Sequence, residues 1–181
     1  NPIYIDADGD GVWTAPRDWA MQIAEEHSND LASFMEIYNS VQPSEQAMLL
    51  LASTEYATLA SPMVRLGISS PERIVKLAAC KSAQIIQNPN LQEILAATID
   101  NTESDRFLAF SAWAAADLTD EEDGAILLRR YVDRFGWNNA KRYASEHPLR
   151  LPGDFVRAWQ VGGYFAIQET GNRLDNLGMQ Q

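Results

Sequence analysis

The chain has 181 residues, 46% of them hydrophobic and 22% charged, with 25 acidic against 14 basic side chains and a net charge of −11. That composition is globular rather than disordered. The acidic balance disfavours nucleic acid or an anionic membrane surface as the main partner, because both need a basic footprint. A single cysteine, Cys80, excludes an intrachain disulfide and a thiolate zinc cluster.

In chain order, Ile3-Tyr4-Ile5 is the one strand-like stretch, apolar and β-prone. It runs directly into Asp6-Ala7-Asp8-Gly9-Asp10-Gly11, the D-x-D-x-D-G half of a calcium loop. A hard cation needs several oxygen ligands at once, and aspartate is the shortest side chain that delivers a full negative charge. Alternate spacing lets a tightly turning backbone aim Asp6, Asp8 and Asp10 inward, and Gly11 permits the sharp turn that follows. The Val12 carbonyl is the next expected ligand. Counting from Asp6, the twelfth position is Arg17, where such loops place an acid, so Asp18 one residue on is the expected closing ligand. A strand rather than a helix enters the loop and there is only one loop, so the expectation is one structural calcium ion and not an EF-hand sensor pair. The alternative is an Asp/Gly-rich surface turn held by side-chain to backbone hydrogen bonds.

From Pro16 onward the periodicity is helical. Pro16 suits a first helical position and places Trp19, Ala20, Ile23 and His27 on one face. Ser28-Asn29-Asp30 reads as a stop and restart before Leu31, Phe34, Met35 and Tyr38. Pro43-Ser44 opens a helix carrying Met48, Leu51, Ala52 and Leu59. Ser70-Pro71 leads to a stripe of Ile74, Leu77, Ala78 and Ile85, and Asn88-Pro89 to Leu91, Ile94 and Leu95. Thr102 with Asp105 resembles a capping box ahead of Phe107, Phe110 and Ala114; Thr119 with Glu122 fits the full box ahead of Leu128, Tyr131, Val132 and Phe135. Gly136 supplies a left-handed stop. A short helix through Ala140 and Tyr143 ends before His147-Pro148, and a last one carries Phe155, Ala158, Trp159 and Phe165 toward Gly171.

The fold class expected is all-α: a helical bundle or an irregular α-solenoid, HEAT-like helix pairs being one form of the latter, preceded by one short strand and the calcium-type loop. The organisation expected is strand and loop over 1–15, a helical domain over 16–171 and a tail over 172–181. No apolar run reaches the roughly 20 residues needed to span a bilayer, and no signal peptide stands at the start. The chain opens at Asn1 rather than Met, as a fragment of a longer protein would.

The segment Asn1-Pro2-Ile3-Tyr4-Ile5-Asp6-Ala7-Asp8-Gly9-Asp10-Gly11 resembles the closing strand and turn of CehA/McbA-type proteins in the PHP metallohydrolase family. The likeness covers about a dozen residues. It implies a helical C-terminal extension of a larger secreted or periplasmic protein whose catalytic part lies elsewhere. The family's metal-binding histidine clusters have no counterpart, since only His27 and His147 occur and no H-x-H pattern does. Hydrolase activity is therefore not carried over to this chain.

The remaining candidates have plain structural readings. Cys80 in Leu77-Ala78-Ala79-Cys80-Lys81 reads as a small buried hydrophobe. His27 reads as a core histidine and His147 as a helix-end cation. Asp117, Asp120, Glu121, Glu122 and Asp123 read as a solvated helix start complementing the dipole. Trp19, Trp113, Trp137 and Trp159 fall in helical patterns where packing is the default, while Trp13 adjoins the loop. Gly162-Gly163 weakens the last helix by roughly 1 kcal/mol per glycine. No catalytic constellation emerges. The expected function is a non-catalytic helical interaction or scaffold domain with one structural calcium site, whose partner is a protein or an adjoining domain. The alternative, a small hydrolase acting on glycan or peptide through acidic residues, requires acids and tryptophans gathered in a groove. Dispersed acids with an exposed apolar patch favour the interaction module.

Overall fold

The structure, a computed structural model, describes residues 16–146. The strand expected at Ile3–Ile5, Asp6, Asp8, Asp10, Val12, Trp13, His147, Trp159, Gly162-Gly163 and the helix expected last lie outside the described residues. Among those described the fold is all-α, without strands, and it divides into two compact units between Ile86 and Gln87.

The first unit holds α1 (Pro16–Glu26), α2 (Leu31–Ser40), α3 (Pro43–Ala52), α4 (Ala57–Ile68) and α5 (Arg73–Ile86). Asp30 caps α2, its side chain accepting the Ser33 N–H at 3.1 Å. Pro43 occupies the first turn of α3, where the missing N–H costs nothing, and Glu45 Oε2 accepts the Gln42 N–H at 2.8 Å. α3 is the hub: it packs against α1, α2, α4 and α5, and buries Ala47, Leu49, Leu50 and Ala52.

The helix expected to run from Pro43 through Leu59 is broken. A 3-10 turn at Ser53–Glu55 and an extended Tyr56 separate α3 from α4, and Pro62 sits inside α4. The break is held by hydroxyls on the orphaned carbonyls of α3's last turn. Ser53 Oγ donates to Leu50 O at 2.7 Å, Thr54 Oγ1 to Leu51 O at 2.7 Å, and buried Ser82 Oγ of α5 reaches the same Leu50 carbonyl at 3.1 Å. Gly67 lets α4 close onto its neighbours: a Cβ there would stand 2.7 Å from Leu50 Cδ1 and 2.9 Å from Ala79 Cβ.

The second unit holds α6 (Gln92–Asn101), α7 (Arg106–Thr119), α8 (Glu121–Phe135) and α9 (Trp137–Glu146), entered through a 3-10 turn at Pro89–Leu91. α7 is its hub, packing against α6, α8 and α9, and every residue from Leu108 to Ala116 is buried. Such all-round burial needs small side chains on the crowded faces, which Ala109, Ala112, Ala114, Ala115 and Ala116 provide. Phe110 centres the aromatic packing, with ring centroids 4.9 Å from Trp113, 5.8 Å from Tyr131 and 5.6 Å from Tyr143.

Two of the expected caps shift by one role. Thr102 closes α6 and donates to Thr98 O, while Asp105 itself caps α7 by accepting the Leu108 N–H at 3.0 Å. Thr119 is the last residue of α7, and Asp120 caps α8 by accepting the N–H groups of Glu122 and Asp123 at 2.9 and 3.1 Å. Aspartate displaces threonine in both places because its charged oxygen is the better acceptor for N–H groups at the positive end of a helix. Gly136 ends α8 with φ +84°. The end of α6 is capped from α8: Arg134 Nη1 donates to the Asp100 carbonyl, and Arg130 pairs with the Asp100 carboxylate at 3.3 Å.

Candidate functional site

Of the expected calcium ligands, Asp18 alone falls among the described residues. It is exposed in the first turn of α1, beside exposed Arg17. A carboxylate there faces the unpaired N–H groups of the helix start, so it is favourably placed electrostatically with or without a cation. Asp6, Asp8, Asp10 and Val12 precede it in the undescribed part. Among the described residues no group of three or more His, Cys, Asp or Glu is placed to hold a metal ion.

His27 is half-buried just past the end of α1, its backbone N–H donating to Ile23 O at 3.1 Å. It contributes slightly to lowering the Asp30 carboxyl, whose main stabilisation is the Ser33 N–H, followed by the Ser33 hydroxyl at 2.7 Å. Cys80 is fully buried in α5, and burial pushes its thiol up to about 12. A thiol that holds its proton so firmly is no nucleophile.

The acidic cluster is divided among structural tasks. Asp120 is a helix cap, Glu122 and Asp123 are exposed in the first turn of α8, and Asp117 is half-buried at the α7–α8 crossing. The crossing is tight because residue 124 is glycine: a Cβ there would lie 2.6 Å from Asp117 Cα. Trp113 lies beneath this corner, wholly buried, and its indole N–H donates to the Gly124 carbonyl at 2.8 Å. Trp19 is also buried. Both tryptophans are therefore core members, and neither lines a groove beside the acids. Tyr131, whose hydroxyl donates to Arg106 O at 3.2 Å, is likewise held protonated by burial.

The face of α5 is where the sequence pattern misleads. The expected inward stripe contains Ile74 and Ile85, yet both are 50% exposed. The buried side consists of Val75, Ala78, Ala79, Cys80, Ser82, Ala83 and Gln84. Most of the residues turned inward are small, because α3 and α4 both press on this helix, with Val75 and Gln84 the larger exceptions. The large aliphatic residues are pushed to the solvent side, beside Lys81.

No protein-family model matches the chain, and neither a curated protein nor a solved structure is similar to it.

Proposed function

We propose that this chain is a non-catalytic helical interaction or scaffold module, carrying one structural calcium site and belonging to a larger extracytoplasmic protein. The observation that carries the reading is the exposure of Ile74 and Ile85 on one face of α5, while Trp19 and Trp113 are core members and Asp120 is a helix cap. An exposed apolar face on a well-packed helical unit marks contact with another macromolecule. Within each unit, helices pack onto neighbours one and two places along the chain, the connectivity from which helix-pair scaffolds are assembled.

The calcium site in this reading is formed by Asp6, Asp8, Asp10, the Val12 carbonyl and Asp18. The pattern of acids supports it, together with the solvent-open carboxylate of Asp18 immediately downstream of the loop. Its role is to fix the N-terminal segment onto α1. The CehA/McbA-type resemblance of the first eleven residues is the ground for an extracytoplasmic parent protein.

Calorimetric titration and thermal melting test the site. Calcium is expected to bind at one site per chain and to raise Tm, by an amount equivalent to about 2.7 kcal/mol at a hundredfold excess over Kd. Asp8→Ala is expected to abolish both effects. A wild-type chain that gives no calcium heat and no Tm shift would overturn the calcium assignment.

A further inference from the structure

Seven of the fourteen residues of α5 are buried. Its other residues are either cationic, namely Arg73, Lys76 and Lys81, or large and aliphatic; Ile74 and Ile85 are exposed, with Leu77 and Lys81 half-buried between them on the same face. No acid and no neutral polar residue interrupts them. Spacings of three, four and four keep Ile74, Leu77, Lys81 and Ile85 within about a quarter of the helix circumference, along a seam of about 16 Å.

Two features make this seam unlike an ordinary solvated face. The seam holds one cation, Lys81, and no carboxylate, in a chain whose net charge is −11. In addition, Lys81 is half-buried in the apolar seam and has no hydrogen bond or ion pair among the described residues. Burial disfavours its charged form. An ammonium partly stripped of water, with aliphatic side chains on either side, is complemented by a carboxylate that arrives with apolar neighbours.

We infer that the Ile74–Leu77–Lys81–Ile85 face of α5 is a docking surface for an amphipathic helix of a protein partner, one that presents apolar side chains flanked by carboxylates. The mode is helix against helix: aliphatic anchors at one-turn spacing supply the burial, and Lys81 selects for acid and sets the register. The inference rests on reading the chain as an interaction module and names the chemistry of its partner.

The probe is a fluorescein-labelled 18-residue helical peptide with leucines on one face and glutamates flanking them, compared with its lysine-for-glutamate counterpart. Anisotropy titrations use the full chain, with calcium and separately in excess EDTA. The wild type is expected to bind the acidic peptide at least about tenfold more tightly than the basic one. Ile85→Asp is expected to weaken that binding about tenfold or more, as loss of a central anchor does. Lys81→Glu should reverse the preference between the two peptides. Ile85 is exposed and Lys81 half-buried, and an unchanged far-ultraviolet circular dichroism spectrum verifies folding; if either variant loses it, Ile74→Asp replaces Ile85→Asp, and Lys81→Gln, which should abolish the preference, replaces Lys81→Glu. Equal binding of the two peptides, or undiminished binding by the aspartate variants, would overturn the proposal. So would a wild-type dimer in sedimentation that Ile85→Asp dissolves, since a second copy would then occupy the face. Failure here with a persisting calcium-dependent Tm rise removes only the α5 partner, whereas peptide binding in EDTA without any calcium response removes only the calcium site.

Discussion

Replacing Gly124 by alanine tests the α7–α8 crossing. In an open helix this change stabilises by about 1 kcal/mol, because alanine restricts the unfolded chain and glycine does not. Here the added Cβ would stand 2.6 Å from Asp117 Cα and 2.9 Å from Asp117 Cβ. Relaxed carbon contacts lie at about 3.5–4 Å, and a backbone atom cannot rotate away, so the two helices must separate by about 1 Å. Overpacking of this kind costs about 1–3 kcal/mol. Separation also stretches the buried bond from the Trp113 indole to the Gly124 carbonyl, 2.8 Å in the native structure, which is worth about a further 1 kcal/mol. After the propensity gain is subtracted, Gly124→Ala should destabilise by about 1–3 kcal/mol. For a unit of this size that corresponds to a Tm lower by roughly 5–15 °C, with an altered near-ultraviolet signal from Trp113. A melting temperature equal to or above the wild type would refute the account of the crossing.

Three further expectations follow from local geometry. Gln87, at φ +45°, holds a left-handed conformation without being glycine, so Gln87→Gly should stabilise by about 1 kcal/mol in urea unfolding; no gain would mean that the conformation costs nothing there. The Asp30 carboxyl should titrate below 3.8 by NMR, since the Ser33 N–H and hydroxyl favour its charged form. Its folded value is depressed, so its contribution to stability is present above the unfolded value and is lost as pH falls through the folded one; a midpoint at or above 3.8 would contradict the cap. Cys80 should resist alkylation at pH 8 in the native state, because a thiol near 12 is thiolate in only about one molecule in ten thousand. Rapid stoichiometric labelling without denaturant would show that the α5 core opens readily.

The tryptophans and the acids show how far sequence reasoning carries a candidate site. That Asp120 through Asp123 complement a helix start is legible locally, since dipole and cap act within one turn. That Trp113 lies under the same corner depends on the α7–α8 approach, which Gly124 permits and no spacing rule announces. The acidic pattern from Asp6 to Gly11 lies outside the described residues, and of the expected ligands only Asp18 is placed, exposed in the first turn of α1.

By itself, the sequence determined the all-α class of the described residues and the helix starts at Pro16, Pro43 and Asn88-Pro89, while the caps expected at Thr102 and Thr119 fall instead on Asp105 and Asp120. These signals act over three or four residues, through a cap oxygen or a proline ring, and need no distant partner. The break at Ser53–Tyr56 rests on both levels: Ser53 and Thr54 bond to carbonyls three residues back, while tertiary structure adds the Ser82 hydroxyl, twenty-nine residues beyond Ser53. Tertiary structure decided which side of α5 faces water. Periodicity marks an apolar stripe, but a helix pressed by two neighbours sorts its side chains by volume as much as by polarity. The alanines and Cys80 therefore went inward, and Ile74 and Ile85 remained outside.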